Sequence, residues 1–182
     1  MKKTGLASKI LGGFIAFAVS GAAAFSACAS GDGYLSLPEN IDTSFKSYMD
    51  YRAITNTRSD QYKLQQEAYT DSDGIRCIGD DVCVAVGTAY AEKCGIRLEI
   101  TLDSGNSFTA VVGDIKADRD TDKSNRYRPL GNGRGDMIEF IVETSKLDKT
   151  VRRMGSIGTY EKYSGNVTAI KVLDENDRAV LS

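Results

Sequence analysis

The chain has 182 residues, 41% hydrophobic and 26% charged, the make-up of one soluble globular domain with appendages, and it contains no histidine. Without an imidazole, Ser-His-Asp and Cys-His nucleophilic systems and histidine-ligated zinc sites are excluded, so acid–base work falls to Asp, Glu, Lys, Tyr or Cys. The net charge is −2, and the residues after position 29 hold 20 basic against 25 acidic groups, a balance of −5 that repels phosphate backbones and speaks against a nucleic-acid partner.

Residues 1–29 carry the parts of an export signal: Lys2, Lys3 and Lys9, then the apolar stretch Ile10–Phe25, then small residues. Three fates fit this segment. "ACA" at 27–29 suits cleavage before Ser30, the apolar run could stay as a membrane anchor, and Cys28 behind "FSA" could carry lipid. All three place the folded part outside the cytoplasmic membrane, in the envelope or beyond it, with membrane contact only through this segment.

Residues 30–70 read as a tether followed by an arm. "SGDGYLSLPENIDTSF" mixes Gly, Ser, Asp and Pro with few apolar residues. The arm brings Phe45, Tyr48, Met49 and Tyr51, and "DQYKLQQEAY" makes either a short helix or an extended cover. Its aromatics either pack on the main domain or form a platform for sugar.

Residues 71–182 switch to strands and turns. "DSDG" at 71–74 is a turn, "VCVAVGTAY" at 82–90 a buried apolar strand, and "IRLEITL" at 96–102 alternates with period two. "DSGN" then turns the chain into "SFTAVVG", a hairpin. "MIEFIVE" and "NVTAIKVL" supply later strands, with a short helix near "TSKLDKTVRRMG" capped by Ser145. Short strands at this spacing predict a mainly β fold, a small barrel with one or two short helices. Cys77 and Cys83 flank the "IGDD" turn, so they face each other across a hairpin or Cys83 pairs with Cys94, as suits an exported chain.

Aspartates supply the candidate chemistry. Asp114 and Asp136 form the candidate acid–base pair: two carboxylates held close cannot both ionise easily, so one keeps its proton and can donate it. They could equally cap turns. Asp118, Asp120 and Asp122 alternate as in the opening of a calcium loop. However, Lys123 replaces the turn glycine and Pro129 the closing Glu, which leaves a solvated loop as the other reading.

"CGIRLEI", the "DSGN" turn, "TAVVGDIK", an insertion and "GDMIEFIV" follow one another in an order that resembles the double-psi β-barrel of cell-wall proteins. That group includes expansin-like and septal lipoprotein barrels, the three-aspartate domain and one class of lytic transglycosylases. Gly95, Asp114 and Asp136 stand at the matching positions, and the match spans residues 82–143. An aspartate expected before "GIRLEI" is absent, and residues 115–135 form a long insertion. The whole chain also looks like a family of uncharacterised exported proteins of Gram-positive bacteria and their phages. The resemblance implies contact with peptidoglycan or a related polysaccharide, and in its stronger form cleavage of glycan strands. A non-catalytic extracellular module that binds a protein through the arm and the insertion is the alternative.

Overall fold

Tandem β-structure dominates the computed structural model, which describes residues 33–173. The export-signal, anchor and lipidation readings of residues 1–29 lie outside the described residues. Twelve elements matter here: β1 (Tyr48–Asp50), α1 (Asp60–Glu67), β2 (Tyr69–Thr70), β3 (Arg76–Ile78), β4 (Asp81–Val86), β5 (Arg97–Leu102), β6 (Ser107–Ile115), β7 (Arg128–Gly131), β8 (Arg134–Asp136), β9 (Glu139–Val142), α2 (Lys149–Met154) and β10 (Val167–Leu173). The mainly β class with short helices is as the sequence predicts.

The main sheet runs β1-β9-β4-β6-β5-β10, with the β2–β3 hairpin joined to β4; β7 and β8 form a separate ribbon. β5 and β6 pair as the alternation requires, Leu98 opposite Ala110 and Ile100 opposite Phe108. Their turn holds Gly105 at φ +88°, a left-handed conformation that favours glycine. β4 is buried along its whole length, because it lies between parallel β6 and antiparallel β9 and is covered on both faces. An unbroken apolar run is what such a strand needs.

The expected closed barrel is not formed among the described residues. The ladder has two ends, β1 and β10. Side chains bridge the gap between the segments that lead into them. The Thr43 N–H donates to Asn166 Oδ1 at 2.8 Å, the Val167 N–H to Thr43 Oγ1 at 2.9 Å, and Lys46 Nζ to the Gly165 carbonyl at 2.6 Å. Side-chain hydrogen bonds join these lead-in segments, while β10 itself exchanges backbone bonds with residues 33–35.

Two cores result. On one face Val84, Leu98, Ile100, Val112, Phe140 and Ile170 pack with Leu147, Val151, Ile157 and Tyr163 from α2 and the turns before and after it. Phe108, Phe140 and Tyr163 meet there with ring centroids 4.8–5.7 Å apart. On the other face Cys83, Val111 and Ile141 are covered by Met49, Tyr51, Ile54 and Leu64. Residues 33–70 thus contribute β1 and β2 to the same sheet and α1 to the cover of its second face. The segment that reads as a tether lies along it: Leu35 and Thr43 are buried, and the Leu35 N–H donates to the Ile170 carbonyl.

Two local expectations are corrected. Asp148, not Ser145, caps α2, accepting from the Thr150 N–H at 2.6 Å; Ser145 sits in a preceding 3₁₀ turn, Thr144–Lys146. That turn ends at buried Leu147, so the helix can start only after it. Cys77, Cys83 and Cys94 are not joined by disulfides. In the β3–β4 hairpin Cys77 pairs with Val82, which leaves Cys83 one residue off. One residue along a strand reverses the face, so Cys77 enters the first core and Cys83 the second.

Candidate acid–base cleft

Ala85 on β4 pairs with Asp114 on β6 and with Glu139 on β9, so the three residues form one row across the sheet. Two strand spacings separate the backbones of the two acids, about 10 Å. The row depends on a bulge. Val84 pairs with Val112 and Ala85 with Asp114, which leaves Gly113 as the extra residue. Simple alternation would point Asp114 into the first core; the bulge turns it to the opposite face. A Cβ at Gly113 would come within 2.7 Å of Ile141 Cδ1, so a larger residue there makes that side chain shift.

Asp114, Lys116, Asp120, Arg128 and Glu139 line a cleft of about 460 Å³ over Ala85. Asp114 is half-buried, and burial pushes its carboxyl above the usual aspartate value. Hydrogen bonds from the Ile115 N–H, at 2.9 Å, and from the Gln61 side chain oppose that shift. Gln61 belongs to α1, so the helix touches the candidate acid directly.

Asp136 is placed differently. It has 0% exposure and does not line the cleft. The Ser47 hydroxyl and N–H donate to its carboxylate at 2.6 and 3.1 Å, Lys116 Nζ lies 3.1 Å away and Arg128 3.5 Å. Lys116 also donates to the Asp136 carbonyl at 2.9 Å. Lys116 lines the cleft together with Asp114 and is anchored by Asp136. The row partner of Asp114 is Glu139, which sequence reasoning missed. Its signal was the alternation of "IEFIV", where Glu139 shares a face with Ile141.

The three loop aspartates turn to separate partners. Asp118 accepts from Thr88 Oγ1 at 2.8 Å, and Asp120 lies 3.8 Å from Arg119. Asp122 takes the N–H groups of Ser124, Arg126 and Tyr127, together with the Ser124 hydroxyl. Among the described residues no group of three or more His, Cys, Asp or Glu is arranged to hold a metal ion.

Beside α1, a second cleft of about 340 Å³ includes Lys63, Glu67, Cys94 and the Asp81–Arg97 ion pair, whose closest atoms are 2.6 Å apart. Burial pushes the Cys94 thiol up to about 11, which leaves little thiolate at neutral pH.

The chain matches no protein-family model, no curated protein and no solved structure. No helix among the described residues is long and apolar enough to cross a membrane.

Proposed function

We propose that this is an exported, envelope-facing protein that binds peptidoglycan or a similar polysaccharide in the Asp114 cleft and cleaves glycan strands there. The supporting observation is a half-buried carboxyl with a raised pKa in an open cleft, facing a second carboxylate across Ala85. Asp114 is the general acid that protonates the leaving glycosidic oxygen. Glu139 is the base that takes a proton from the attacking hydroxyl, either of water or of the sugar itself. Lys116 and Arg128 steady polar groups of the strand, with Asp136 fixing both cations from below.

The double-psi resemblance belongs to this reading. Its support is the pair of parallel pairings, β1 with β9 and β4 with β6, set among antiparallel neighbours. The export address rests on the Lys-led apolar segment at the N-terminus. The rival reading, an extracellular protein-binding module, draws on the exposed Gly131–Gly133 tip of the β7–β8 ribbon.

The test incubates full-length protein with purified sacculi and measures sedimentation and released muropeptides. Wild type is expected to sediment and to release fragments. Asp114→Asn is expected to sediment equally and to release at least about 100-fold less, the usual contribution of a general acid. Neither binding nor release from wild type would leave the module reading in place.

A further inference from the structure

α1 also borders a pocket built with different chemistry from the Asp114 cleft. Tyr51, Ile54, Thr55 and Thr57 from the turn after β1 face Tyr62 and Gln66 on α1 around a space of about 330 Å³. That size lies at the lower end of the roughly 300–1,000 Å³ found for small-molecule sites.

No carboxylate lines the pocket. Its one guanidinium, Arg52, is held bidentately by Asp50 at 2.7 and 2.8 Å, so its charge is already matched. What remains is two phenols, two threonine hydroxyls, glutamine amides and one aliphatic side chain. Such a lining offers an ion little, but it suits a ring with an apolar C–H face and hydroxyl or amide groups at its edge.

The walls are fixed in advance. The Arg76 guanidinium stacks on Tyr51, 4.4 Å from the ring centroid. The same group donates to the carbonyls of Gln65 and Ala68 at 2.7 and 2.6 Å, tying down the C-terminal end of α1. Ser59 caps the other end, accepting from the Tyr62 N–H at 3.2 Å. A pocket ordered before binding loses less entropy when it is filled.

The pocket also neighbours the candidate acid in sequence. Gln61 bonds Asp114 while Tyr62, the next residue, lines this pocket. We infer that the Tyr51–Tyr62 pocket is a second, non-catalytic saccharide site that takes one uncharged hexose or N-acetylhexosamine unit. The inference rests on the glycan reading for the identity of the polymer, but it can fail separately.

The probe is the β-1,4-linked tetramer of N-acetylglucosamine, titrated against the full-length protein and followed by saturation-transfer NMR. Tyr62→Ala is expected to weaken binding about tenfold, the scale of one lost aromatic contact. Thr57 and Gln66 are exposed, so Thr57→Val and Gln66→Ala keep the fold and are each expected to weaken binding about threefold. Absence of tetramer binding by wild type overturns the inference. Binding that survives all three pocket variants overturns it too, even if muropeptide release shows the Asp114 reading to be sound. Binding that depends on the pocket, in a protein that releases no muropeptides, upholds this site and removes the cleavage reading.

Discussion

Asp136 carries its charge with no exposed surface because four donors converge on it: Ser47 through its hydroxyl and N–H, Lys116 and Arg128. Removing one partner of a buried pair leaves the other without compensation. Asp136→Asn is therefore expected to destabilise the fold by about 3–5 kcal/mol, read as a lower denaturant midpoint. Replacing both partners, as in Asp136→Leu with Lys116→Met, is expected to recover much of that loss, and equal loss in single and double variants would contradict the ion-pair account. The cysteines allow a second check at this scale. Burial pushes the Cys77 thiol up to about 12 and the Cys83 thiol up to about 11. Both are expected to resist a thiol reagent in the native protein and to react at the rate of unfolding, while half-buried Cys94 reacts sooner. Rapid labelling of Cys83 would mean that α1 does not cover the second core. The burial of Cys83 is legible in the apolar run that contains it, but that of Asp136 is not. Asp136 stands between glycine and an apolar run, as a turn aspartate would; Arg128 is 8 residues away, but its closer-bonded partners Lys116 and Ser47 lie 20 and 89 residues away in sequence.

Elements differ in how far neighbouring residues determine them. The β5–β6 hairpin is legible because its period-two pattern and its turn lie within 19 residues, Arg97–Ile115. β4 is legible because a strand covered on both faces needs an unbroken apolar run. β1 is not, since Tyr48 pairs with Phe140, and nothing near Tyr48 announces a parallel partner so distant. α1 is half legible: Ser59 caps it in the ordinary way, but Gln65 is its one buried residue, so it lacks a strong apolar stripe. What holds α1 is Arg76 from β3. Arg76→Ala removes bonds to the carbonyls of Gln65 and the cap residue Ala68, one each to the Gln65 and Thr70 side chains, and the stack on Tyr51. It is expected to cost about 2–4 kcal/mol and to speed amide exchange in Asp60–Glu67 before the rest of the sheet. Uniform exchange across the sheet and α1 would show that the helix does not depend on that side chain. The candidate site follows the same logic. Asp114 could be picked out because an acid ends an apolar strand, whereas its pairing with Glu139 depends on the Gly113 bulge, which no local pattern reveals.

Across the whole molecule, opposing titrations shape stability. Lys46 has 0% exposure, and burial lowers its pKa to about 8 against the attraction of Asp103, Asp136 and Asp42. Between pH 8 and about 10.4 the unfolded chain binds a proton at this position that the folded chain does not, so this group adds stability as pH rises through that window. The buried thiols act in the opposite sense. Their folded values lie above the ordinary one, so the unfolded chain deprotonates first and stability falls above about pH 8.5. Asp114 follows the thiols' sign at low pH: its raised value means that stability is lost as pH climbs past the usual aspartate range. Asp50 does the reverse. Its carboxyl is held well below that range, first by Arg52, so its contribution is lost as pH falls. An overall pH curve mixes these terms, and a difference experiment separates one of them. Lys46→Met removes the titrating amine but keeps the thiols and both aspartates. The unfolding free energy of wild type minus that of Lys46→Met is expected to rise between pH 8 and 10, by at most about 1.4 kcal/mol per pH unit, and to be flat from pH 6 to 7. The lost bond to the Gly165 carbonyl shifts the whole difference curve by a constant and leaves its slope unchanged. A difference that stays flat through pH 10 would mean that Lys46 keeps an ordinary pKa. The contact it makes between the segments leading into β1 and β10 would then be reached by water.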